Sequence, residues 1–162
     1  MDEKPRPELR WDGEKAGYFD TEGVERWKVL PSEIVLIAEY MTSEGPYVED
    51  YFLTIWTLEQ GVLMSVRCPL DSHAEQVLGE LAKVLGFERK ASLVSSTEWD
   101  SLVIWPSELA GEEYFTFTPV KTKHWWGAVV HRLMETKEKR VSDRVMRFLD
   151  GKKAGLEPGT AD

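Results

Sequence analysis

The sequence predicts a single α+β domain: a mainly antiparallel sheet of about five strands, packed with one central helix and one or two C-terminal helices. Three observations carry this. At 162 residues the chain can bury one sizeable core and is short of two. Between residues 24 and 120, short apolar segments with strand composition recur between clusters of turn residues. Three further segments repeat their apolar residues with the 3.6-residue period of a helix.

Taken in order, residues 1–15 hold two prolines and many charges, with only Leu9 and Trp11 as large apolar groups. They are expected to form a mobile arm whose end docks on the body. The body should span 16–150, and 151–162 should be a flexible tail. Residues 24–30 alternate imperfectly and stop at Pro31, which fits a strand. The stretch 32–42 contains the run Ile34-Val35-Leu36-Ile37, apolar on both faces, and reads as a buried strand with a short helix as its rival. After the turn residues of SEGP, positions 47–58 are rich in Tyr, Phe, Ile, Trp and Thr, and Gln60-Gly61 precedes an alternating segment at 61–68. A hairpin at the centre of the sheet is expected there.

Residues 72–86 form the clearest helix. Ser72 and Glu75 have capping-box spacing, Ala74, Val77, Leu78, Leu81, Ala82 and Leu85 make the apolar stripe, and Gly86 supplies the stop. Residues 90–94 and 101–105 read as short strands, 106–111 as a helical turn, and 112–120 as a half-buried strand. Trp126, Val129, Val130, Leu133 and Met134 then fit a helix over about 124–138, and Ser142 opens another that stops at Gly151.

Composition bounds the function. The seven Trp, five Tyr and six Phe belong to a folded chain, and the single cysteine, Cys68, excludes an internal disulfide and a four-cysteine zinc site. The start has no export signal, and no apolar run approaches the roughly 20 residues of a membrane span, so a soluble cytoplasmic protein is expected. Net charge is −9, divided into −13 for residues 1–120 and +4 for 121–162. An acidic body suits a partner with a basic surface.

Candidate chemistry is sparse. In KTKHWWGAVVHR, His124 and His131 would lie about 10 Å apart along a helix, too far to share a metal. Cys68 and His73 make a nucleophile and base of weak signature, lacking a third group to orient the histidine. Glu44, Glu49 and Asp50 lack the spacing of a calcium loop. No nucleophile elbow or glycine-rich phosphate loop is present. The basic positions between Lys137 and Lys153 alternate with acidic ones, which argues against a nucleic-acid face.

The expected function is therefore a non-catalytic module acting through protein–protein contacts, of the small acidic adaptor, immunity or inhibitor type. No catalytic residue, metal or cofactor is expected. Its contact residues would be Tyr47, Glu49, Asp50 and Tyr51 together with Glu98, Trp99 and Asp100, because aromatic anchors among carboxylates suit a basic partner. The rival is a small-ligand pocket, or a modest enzyme, between the sheet and the C-terminal helix, lined by Tyr40, His124, Trp125 and His131. Homodimerisation is compatible with both.

Overall fold

The computed structural model describes residues 6–42, 51–90, 92–93, 99–119 and 137–155. Among them the strands are β1 (Glu8–Trp11), β2 (Ala16–Phe19), β3 (Glu25–Val29), β4 (Ile34–Met41), β5 (Tyr51–Glu59), β6 (Val62–Pro69), β7 (Asp100–Trp105), β8 (Phe115–Pro119) and β9 (Lys137–Val141). Two helices join them, α1 (Ser72–Leu85) and α2 (Asp143–Ala154). The fold is α+β and every strand pairing is antiparallel, but the strands form three sheets: β1-β2-β3, β6-β5-β4-β7 and β8-β9.

The middle sheet organises the domain. Seven of the eight β4 residues are buried, with only Val35 partly exposed. The reason is a core on each side. Ile37 joins Leu53 and Ile55 against Ala74, Val77, Leu78 and Leu81 of α1 and Leu9, Ala16 and Val29 of the first sheet. Its neighbours Leu36, Ala38 and Tyr40 face Val103, Leu109, Tyr114 and the α2 residues Val145 and Leu149. Alternate residues of one strand thus enter different cores, which is why β4 reads as a continuous apolar run. Each fully buried Leu, Ile or Val among them contributes on the order of 1.5–3 kcal/mol.

Local chemistry sets the boundaries. Pro31 opens a single 3-10 turn, Pro31–Glu33, in which the Glu33 carboxylate accepts the Leu30 N–H at 3.0 Å before β4 begins. The β5–β6 hairpin turns on Gln60 (φ 50°) and Gly61 (φ 80°), the paired positive φ angles that a two-residue type I′ turn requires. The turn keeps β5 and β6 in unbroken register from Glu59↔Val62 to Phe52↔Pro69. Helix α1 ends where Gly86 takes the left-handed conformation at φ 70°.

The structure corrects several expectations. Residues 8–11 of the expected arm are the edge strand β1, and Leu9 is 2% exposed. A four-residue ladder ties this segment to β2, and Leu9 and Trp11 pack it against the core that includes α1. The α1 N-cap is Asp71 rather than Ser72. Its carboxylate accepts from His73 N at 3.0 Å and Ala74 N at 2.9 Å, and a negative cap also complements the helix dipole. Glu75 is consequently free to bind Arg89 instead of closing a capping box. Lys90, Ser92 and Leu93 form no strand.

At the other end, Lys137 and Glu138 pair with Pro119 and Thr118 in β9, so no helix includes them. The remainder of that expected helix, with His124, Trp125 and His131, lies outside the described residues. Helix α2 starts at the predicted Ser142 cap but continues through Gly151 to Ala154. Its last turn carries Lys152 and Lys153, cations suited to a helix C-terminus.

Candidate docking face and a buried charge network

The register of β4 brings two distant sequence segments together. Met41 pairs with Tyr51 of β5 on one side and with Asp100 of β7 on the other. Two strand spacings, roughly 9.5 Å, therefore separate positions 51 and 100. Of the positions expected to supply a contact patch, Tyr51 and Asp100 come to one end of the sheet. Tyr51, Trp99 and Asp100 are all partly exposed there. Tyr47, Glu49, Asp50 and Glu98 lie outside the described residues.

Beneath this end lies a charge network that the sequence reading did not single out. Glu39, on the central strand, is 0% exposed. One carboxylate oxygen accepts the Leu93 backbone N–H at 2.8 Å. The other accepts the Tyr51 hydroxyl at 2.6 Å and an Arg89 Nη2–H. Arg89 also donates to both oxygens of Glu75, at 2.8 and 2.7 Å, to the Tyr51 hydroxyl at 2.9 Å and to Ser92 Oγ at 3.0 Å. The network ties α1, the following loop and two strands to one buried carboxylate. A buried charge of this kind is tolerated only because donors surround it.

Tyr51 thus has two aspects. Its partly exposed ring packs against the core on the α1 side at the end of the sheet, while its hydroxyl belongs to the network. Desolvation, reinforced by the bond to Glu39, pushes its pKa up from 10.0 to about 12. Burial does the same to Tyr114, whose hydroxyl accepts the Trp56 indole N–H at 2.8 Å. For each tyrosine the folded pKa lies above the unfolded one, so the protonated form stabilises the fold. That contribution is complete below pH 10 and is lost as pH rises toward 12. Urea denaturation at pH 9, 10, 11 and 12 should show stability falling across the last three, with tyrosinate absorbance at 295 nm for these two residues lagging that of exposed tyrosines.

Cys68 is 2% exposed, and burial raises its thiol from 9.0 to about 12. His73 stands on the exposed first turn of α1, with Nδ1 3.8 Å from a Glu8 carboxylate oxygen and 3.9 Å from one of Asp71. A protonated, buried thiol is a poor nucleophile. Thiol-specific labelling at pH 7.5 should leave the folded protein unmodified and label it fully in urea.

Tyr40, expected to line a pocket, is 1% exposed. Its ring lies 5.2 Å from that of Phe52 and 4.9 Å from that of Phe115, and Arg67 Nη1 donates to its hydroxyl at 3.2 Å. An open groove lies elsewhere, between the end of α1 with its loop and β7. It measures about 460 Å³ and is lined by Phe87, Arg89, Lys90, Trp105 and Ser107 among others. A smaller notch of about 190 Å³ sits beside Trp99, between β7 and β8.

Among the described residues no three His, Cys, Asp or Glu side chains are grouped to hold a metal ion. No described helix is long and apolar enough to cross a membrane. The chain matched no protein-family model, no curated protein and no solved structure. Its chemistry must be read from its own residues.

Proposed function

We propose that the protein is a non-catalytic, cytoplasmic binding module that docks a basic protein partner through the acidic, aromatic end of its middle sheet. The observation that carries this reading is the register of β4, with Tyr51 and Asp100 flanking Met41. In sequence, the stretches that lead into Tyr51 and Asp100, residues 43–51 and 94–100, contain Glu44, Glu49, Asp50, Glu98 and Asp100 and no lysine or arginine. Carboxylates favour approach by a basic surface, and Tyr and Trp supply aromatic anchors for it. The titratable groups at the heart of the described region also serve the fold: Glu39 is committed to three donors, and Cys68 is buried.

The test is native mass spectrometry of the untagged protein purified from its own host at low salt. A second polypeptide should accompany the wild type and be lost from the double variant Glu49→Lys/Asp100→Lys. A partner retained by that variant, or a wild-type chain without one, would overturn the reading.

A second reading, small-ligand binding, draws on the 460 Å³ groove, which falls within the roughly 300–1,000 Å³ of ligand sites. A small-molecule adduct in the same spectrum, displaced by Ser107→Trp, would favour it.

A further inference from the structure

We infer that the notch beside Trp99 is a receptor for one cationic side chain, a lysine or arginine presented by the basic partner. This rests on the docking reading above and deepens it. At about 190 Å³ the notch is below the range of small-molecule sites and matches a single long side chain. Trp99, Phe115, Phe117, Asp100 and Glu113 are among its lining residues, and one Asp100 carboxylate oxygen accepts the Ser101 N–H at 2.8 Å, leaving the other for a ligand. Trp99 meets Phe117 edge-on at 5.5 Å, and Phe117 lies 6.1 Å from Phe115, so the aromatic wall is continuous.

Among the described residues neither Asp100 nor Glu113 takes part in an ion pair. Aromatic quadrupoles and two carboxylates attract the same thing, a cation able to shed part of its water. The fold already uses aromatic rings here in this way: the Lys139 ammonium lies 4.8 Å from the centre of Tyr40 and 5.7 Å from that of Phe115, itself a lining residue of the notch.

Tetralysine is the probe, with tetraglutamate as control, and the readout is the Trp99 indole resonance in ¹H–¹⁵N spectra, assigned with Trp99→Phe. Tetralysine should move that resonance saturably and tetraglutamate should not. In Asp100→Asn/Glu113→Gln, a conservative exchange whose fold the same spectra verify, affinity should fall roughly tenfold. An unmoved Trp99 resonance, or unchanged affinity in the double variant, would overturn the inference. The two readings fail separately. A host partner retained by Asp100→Asn/Glu113→Gln overturns the notch and leaves docking in place. A chain that binds tetralysine at Trp99 but captures no host protein loses the docking reading and keeps the notch.

Discussion

Replacing Arg89 with methionine should cost the fold about 3–5 kcal/mol, the range for stripping one partner from a buried ion pair. The loss comes from what remains. Glu39 would stay at the centre of the sheet, 0% exposed, with only the Tyr51 hydroxyl and the Leu93 amide as donors. Removing both charges is different in kind, because a well-packed apolar pair avoids the desolvation cost altogether. The double variant Glu39→Leu/Arg89→Met should therefore be more stable than Arg89→Met alone. Urea midpoints for the two variants measure this directly, and a double variant less stable than the single one would show that the network acts through geometry rather than charge.

Truncating Leu149 to alanine should cost about 2–5 kcal/mol, the range for deleting a buried leucine. Helix α2 is short and half charged, and it buries only Val145 and Leu149. These residues, one turn apart, enter the core that also holds Leu36, Ala38, Tyr40 and Val103. Loss of one undermines the docking of the whole helix. Met146, 37% exposed on the same helix, is the control, and its exchange for alanine should change stability little. Equal effects at the two positions would mean that α2 does not dock as described.

Which elements could be read from the sequence follows from the range of the interactions that fix them. Helix α1 was legible almost to the residue because its stripe and its glycine stop are local. The position of its cap was displaced by one residue because Asp71 and Ser72 compete as equals in an N-cap ranking; with Asp71 as the cap, Glu75 pairs with Arg89, which is distant in sequence. The β5–β6 hairpin was legible from Gln60-Gly61, again a local signal. Strand β1 was not, since four residues rich in charge become a strand only when Leu9 finds the α1 groove. Three sheets rather than one could not be foreseen, because strand order is decided by pairings distant in sequence.

The candidate site divides in the same way. Tyr51, Trp99 and Asp100 were singled out by residue type, and only the register of β4 places two of their segments side by side. No local motif marks Glu39 and Arg89 as a pair. A signal for Glu39 existed: one carboxylate inside the apolar stretch IVLIAEYM is a charge that needs a partner. The identity of that partner, 50 residues away, was not encoded locally.

The β8–β9 ladder carries a consequence for dissecting the chain. Pro119 and Lys137 face each other as the last pair of that ladder, so the ends of segment 120–136 are already held one strand spacing apart. The junction is a ready splice site: an Asn-Gly turn could close it without moving either strand. Replacing 120–136 by such a turn would measure in one deletion what that stretch, with His124, Trp125, Trp126 and His131, contributes to stability or recognition.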